Sequence, residues 1–144
     1  MNSSNNRKRK TIILTTISSI FFMILCIIIC IFIKNRSRKI KEYIKIGASE
    51  IEKIEIIIKY GDNQGTYEVT NVDSFYSELI NIKVSSCKAL KLATEKAVYI
   101  YTTDHSTIMI DMHRLNKDGK TYYYKTDNKI TDLINTYLKN NYNI

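Results

Sequence analysis

The longest feature of the hydrophobic pattern is a run without charge. Residues 11–33 contain no Asp, Glu, Lys or Arg, and from Ile20 to Ile33 every position is Ile, Phe, Met, Leu or Cys. As a helix rising about 1.5 Å per residue the run measures roughly 34 Å, enough to cross a hydrocarbon core of about 30 Å. Arg7, Lys8, Arg9 and Lys10 precede it, and Lys34, Arg36, Arg38 and Lys39 follow. The pattern predicts a single membrane-spanning helix that stays attached. A cleaved leader fits less well, because its apolar core runs to only about 7–15 residues and a small-x-small motif should follow, where this chain has basic residues. Lipidation at Cys26 is disfavoured by the bulky Leu25 before it.

Beyond residue 47 the pattern becomes that of a small folded domain. Ile54, Ile56, Ile58 and Tyr60 alternate with Glu55, Ile57 and Lys59, the period of two expected of a strand. The cluster Gly61-Asp62-Asn63-Gln64-Gly65 then predicts a hairpin loop, and Tyr67 and Val69 resume the alternation. Val72, Phe75, Tyr76, Leu79 and Ile80 recur at helical spacing, with Asn71 as a cap and Asp73 suited to the positive helix start. Residues 83–96 are ambiguous: Leu90 and Leu92 favour a short strand, and Ser85-Ser86 a connection.

Residues 97–103 and 106–112 are rich in Val, Ile, Tyr and Thr and read as strands joined by a turn at Asp104-His105. Residues 116–119 predict another turn, and 121–125 a further strand. Ile130, Leu133, Ile134, Tyr137 and Leu138 repeat the helical template, with Asp127 or Asn128 at its start. The order strand, strand, helix, three or four strands, helix predicts an α+β fold with two amphipathic helices on one face of an antiparallel sheet. The chain then divides into a basic cytoplasmic tail (1–10), a transmembrane helix (11–33), a basic juxtamembrane spacer that continues the helix for a turn or two (34–47) and the α+β domain (48–144).

Charge changes the picture at one point. The chain carries +8, which would suit a nucleic-acid partner, but ten of its 22 basic residues and only one of its 14 acidic ones lie before Ile46, leaving −1 for the remainder. The positive charge belongs to the flanks of the apolar run, and a phosphate-backbone binder needs it concentrated on one face of the domain. Both flanks are basic, so the positive-inside rule nearly ties; the leader-like character of the first flank favours tail inside and domain outside. Composition and element order resemble the small membrane-tethered domains of low-GC Gram-positive bacteria, with no specific motif behind the likeness.

The sequence offers little catalytic chemistry. Asp104-His105 and Asp111-x-His113 lie about 26 Å apart along an extended chain, so neither pair completes a zinc site for the other. Cys87 is the domain's only cysteine, Cys26 and Cys30 lie in the apolar run, and no phosphate-binding or nucleophile motif is present. No enzyme, metal or cofactor is expected. The tyrosines are more informative. Tyr99 and Tyr101 share a strand face, and of Tyr122, Tyr123 and Tyr124 at least one must point away from the helix-covered side. Tyrosine gives apolar contact area with a polar tip, which suits recognition of a protein or peptide. The expectation is a bilayer-anchored binding or accessory module; a subunit of a membrane complex acting through its apolar helix is the alternative.

Overall fold

From Ile54 to Ile58 every second residue is buried, and this alternation carries through the neighbouring strands. In the computed structural model, the backbone is described for residues 3–34, 37–89 and 94–144, and side chains for 16–31, 37–89 and 94–144. The chain divides into two units between Arg36 and Ser37.

The first unit is one helix, α1 (Ser3–Lys34), free of the Gly and Pro that would interrupt it. Its described apolar side chains are solvent-exposed, Phe21 at 69% and Phe22 at 67%. Among the described residues, no helix is long and apolar enough to cross a membrane. Residues 16–31 make only roughly 24 Å of helix. The side chains of Arg7, Lys8, Arg9, Lys10 and Lys34, and all of Arg36, lie outside the described residues.

The second unit runs through β1 (Arg38–Lys39), α2 (Lys41–Ile44), a 3-10 turn (Ala48–Glu50), β2 (Ile51–Ile58), β3 (Gly65–Glu68), α3 (Val72–Asn81) and β4 (Lys83–Ser86). It continues with β5 (Lys96–Thr102), β6 (Thr107–Asp111), β7 (Arg114–Lys117), β8 (Lys120–Lys125) and α4 (Lys129–Tyr142). The described strands form one antiparallel sheet in the order β1-β4-β8-β7-β6-β5-β2-β3. The α+β class and the antiparallel sheet match the expectation from the sequence.

Register explains the packing. Ile56 lies opposite Val98 and Ile54 opposite Ile100; Val98 and Ile100 in turn face Ile110 and Ile108, and Ile110 faces Leu115. Directly paired residues project to one side of a sheet, so these seven apolar side chains form a continuous inner face, and each is 3% exposed or less. Phe75, Tyr76 and Leu79 of α3 and Ile130, Ile134 and Leu138 of α4 belong to the same core, which places both helices on that face. Full burial of each such side chain contributes about 1.5–3 kcal/mol. Asn71 caps α3 by accepting from the Ser74 amide at 3.3 Å.

Three elements differ from the expectation. The stretch read as a helical spacer is part of the domain: β1 pairs with β4, the Ile40 amide bonds to the Ile82 carbonyl at 3.0 Å, and Ile40 and Ile44 are fully buried. Spaced four apart, those isoleucines share one face of the short α2 turn, which Lys45 ends in a left-handed conformation. Ser85-Ser86 lies within β4, where Ser86 pairs with Tyr124, instead of in a connection; Leu90 and Leu92 lie outside the described residues. The turn before β8 is tighter than residues 116–119. Asp118 and Gly119 alone take positive φ, 52° and 71°, as a two-residue hairpin of the I′ kind requires, which frees Asn116 and Lys117 to join β7.

The spacer correction has a direct measurement. Ile40→Ala or Ile44→Ala should each lower unfolding free energy by about 2–5 kcal/mol. Denaturant titration followed by the near-ultraviolet tyrosine signal reads this in the domain alone, since α1 contains no tyrosine. A true spacer would give no change.

Candidate binding surfaces

The alternation that fills the inner face leaves Lys53, Glu55 and Ile57 of β2, Tyr99 and Tyr101 of β5 and Met109 of β6 on the outer face, all half-buried. Tyr99 stands between Glu55 and Met109, and Tyr101 between Lys53 and Thr107. The charges here neutralise one another. Lys53 Nζ lies 2.9 Å from Glu55 Oε1 and 4.6 Å from the centroid of the Tyr101 ring. The hydrogen bond from Lys53, then one from Tyr101, holds the Glu55 carboxyl below its usual range, while the bond to Glu55 and partial burial push the Tyr101 phenol up. The result is an aromatic and apolar surface with its charged side chains already paired.

The tyrosines of β8 do not join it as one surface. Tyr122 pairs with the inner-face residue Leu115, so Tyr122 and Tyr124 point to the helix side and Tyr123, opposite Arg114, to the outer side. Tyr124 is 1% exposed and unavailable to any partner. Its hydroxyl donates to the carbonyls of Asp111 at 2.8 Å and Arg114 at 3.0 Å, and burial pushes its ionisation far up. Tyr122 instead meets Tyr43 of α2, ring centroids 5.3 Å apart. Tyr123 is half-buried and stands three strands from Tyr99, roughly 14 Å across the sheet.

The residues with the best catalytic chemistry by sequence serve the backbone. Asp111 is fully buried at the end of β6. Its Oδ1 accepts the amides of His113 and Arg114 at 2.8 and 2.9 Å, and its Oδ2 accepts Thr94 Oγ1 at 2.8 Å and Arg114 Nε at 2.7 Å. Asp111 and His113 do not share a strand face, because the chain turns between β6 and β7 and the carboxylate binds the His113 amide. His113 Nδ1 is buried without a partner among the described residues. His105 sits in the β5–β6 turn at φ 65°, exposed, and Cys87 is half-buried. Among the described residues, no group of three or more His, Cys, Asp or Glu side chains could hold a metal ion.

A second surface escaped the sequence reading. A cleft of about 300 Å³ opens between the start of the domain and the β7–β8 hairpin, with Arg38, Lys45, Lys117 and Lys120 around the Tyr43–Tyr122 pair. In sequence Arg38 counts as a membrane flank and Lys117 as a turn residue; only the β1-β4-β8-β7 order brings them together. No family model, curated protein or solved structure matches the chain.

Two outcomes follow from these bonds. Asp111→Ala strands two amides, a hydroxyl and a guanidinium that is 37% exposed, and should cost about 3 kcal/mol of stability by denaturant titration. At the β5–β6 turn, hydrogen bonds from Thr102 and Ser106 hold Asp104 at about 2, below its ordinary 3.8. A depressed carboxyl stabilises the fold above the ordinary value and ceases to do so as pH falls through the folded one. Asp104→Asn should therefore flatten the stability profile between about pH 4 and pH 2 and leave its slope near neutrality unchanged.

Proposed function

We propose that the protein is a single-pass, membrane-tethered binding module, without enzymatic activity, that holds its α+β domain outside the cytoplasm and recognises a protein or peptide through the outer face of the sheet. Support for the tether is the charge-free run at residues 11–33, contained in one continuous helix and bounded by basic residues at both ends. Exposed Phe21 and Phe22 would find lipid more favourable than water. The export-like first flank supports tail inside and domain outside.

The observation that carries the recognition reading is the sheet face opposite α3 and α4. Both helices lie on the opposite side, and Tyr99, Tyr101, Ile57 and Met109 lie side by side on adjacent strands. Because Lys53 and Glu55 neutralise each other there, the face favours an amphipathic protein segment over a polyanion. Tyr101 and Tyr99 are the expected anchors, each worth at least about 2 kcal/mol, or roughly thirtyfold in affinity, if centrally placed.

The test is a photo-crosslinking residue at Tyr99 in the full chain, expressed in intact cells with external protease as a parallel probe. A discrete adduct at Tyr99, missing when the crosslinker is placed at Glu78 on α3, is the expected result, together with digestion of the domain from outside. Equal crosslinking at both positions would remove the recognition face. A domain protected until lysis would reverse the orientation.

A further inference from the structure

We infer that the cleft ringed by Arg38, Lys45, Lys117 and Lys120 binds the phosphate of an anionic lipid headgroup. The inference rests on the tether proposed above and concerns a different surface from the tyrosine face.

The cleft gathers four cations at one place on the domain surface. Among the described residues, ion pairs join Lys53 to Glu55 and Arg114 to Asp111. Arg38, Lys45 and Lys120 have no such partner and no side-chain hydrogen bond. Lys117 is engaged, donating to the Ile44 carbonyl and so fixing the hairpin to the end of α2. Two carboxylates, Glu42 and Asp118, also line the cleft. Glu42 accepts the Lys39 amide at 3.1 Å, and Asp118 occupies the exposed turn beside Gly119. Four cations against two carboxylates leave a net positive cleft, with three cations free to donate to phosphate oxygens.

The aromatic pair gives the site its second character. Tyr43 and Tyr122 are tilted at 58° and form an amphipathic wall, the kind of surface that sits at the headgroup level of a bilayer. Burial pushes the Tyr43 phenol up and the Arg38 charge opposes it, so the guanidinium acts close to the ring. A cleft of about 300 Å³ accommodates a phosphate with the first atoms of its glycerol.

Chain connectivity selects the source of the phosphate. Arg38 follows Lys34, the last residue of α1, by four residues, which span at most about 14 Å. With α1 in a bilayer, the residues that open the cleft cannot leave the neighbourhood of the headgroups. Their local concentration there far exceeds that of free phosphate, as for any tethered ligand.

The experiment uses the full chain in nanodiscs of phosphatidylcholine, with or without phosphatidylglycerol, and reads amide hydrogen exchange over residues 37–47 and 115–123, with α3 as the internal reference. Slower exchange in those segments with phosphatidylglycerol alone is expected. Arg38→Gln with Lys120→Gln should abolish it, at roughly a fivefold loss of headgroup occupancy for each charge removed, and Arg38→Lys with Lys120→Arg should restore most of it. Neither side chain makes a hydrogen bond or ion pair among the described residues, so α3 exchange should stay unchanged in both variants. Equal slowing by soluble glycerol phosphate in phosphatidylcholine discs would overturn the lipid source. An embedded chain with no dependence on either phosphate would overturn the inference alone, whereas a chain left in the aqueous fraction would overturn the tether and this inference together.

Discussion

A one-residue slip in any central strand would turn its buried side chains to the other face of the sheet, and the domain depends on that slip being prevented. Period-two burial is unbroken from Ile54 to Ile58, and its cross-strand partners Val98, Ile100, Ile108, Ile110 and Leu115 carry it over four strands. A one-residue shift would bring Lys53 and Glu55 inward and expose isoleucine. The same constraint decides where the helices go. An inner face this apolar needs cover, and α3 and α4 provide it at i, i+3 and i+4 spacing. It also decides what lies half-buried on the outer face: Lys53, Glu55, Ile57, Tyr99, Tyr101 and Met109.

Where the alternation is interrupted, between β6 and β7, a polar knot replaces it. Four donors converge on the Asp111 carboxylate, and the Tyr124 hydroxyl closes the Asp111 and Arg114 carbonyls from the neighbouring strand. Buried backbone groups at such a turn need partners, and these two side chains provide them. A carboxylate with all its accepting directions filled has no capacity left for general base work. The aspartate that looks most catalytic in the sequence thus has a structural account, and so does the most buried tyrosine of the Tyr122-Tyr123-Tyr124 run.

The long elements were legible because each repeats its period several times. β2, β5 and β6 carry two or more full alternations, and α3 and α4 two or more turns, so their type and approximate ends follow from spacing alone. Three of the short ones were not. β1 has two residues and β4 four, too few to distinguish alternation from chance, and their strand identity comes from partners far away in sequence, Arg38 with Val84 and Ser86 with Tyr124; β7, also four residues long, is set by its neighbours β6 and β8. The parity of the Tyr122-Tyr123-Tyr124 run required knowing which residue faces Leu115. The basic cleft was hidden for the same reason: about eighty residues separate Arg38 from Lys120, and no local pattern records that they meet.

Charge ties the two surfaces together. With the six basic residues up to Arg36 set aside, sixteen basic and all 14 acidic residues remain, or +2, so the domain has little long-range attraction for an anionic surface. At physiological salt a charge is screened within about 8 Å, and an uneven distribution matters only at contact. The tyrosine face has its charges paired and gains little from approaching a phosphate. The cleft has unpaired cations, whose attraction is short-ranged and would be wasted on a freely diffusing domain. Under the proposed anchoring of α1 in a bilayer, a tether ending four residues before Arg38 would remove the need for long-range steering and make those few charges effective. If the cleft is engaged at the headgroups, the domain is held at a restricted orientation, and restricting it reduces the rotational freedom that a partner arriving at Tyr99 and Tyr101 would otherwise have to quench.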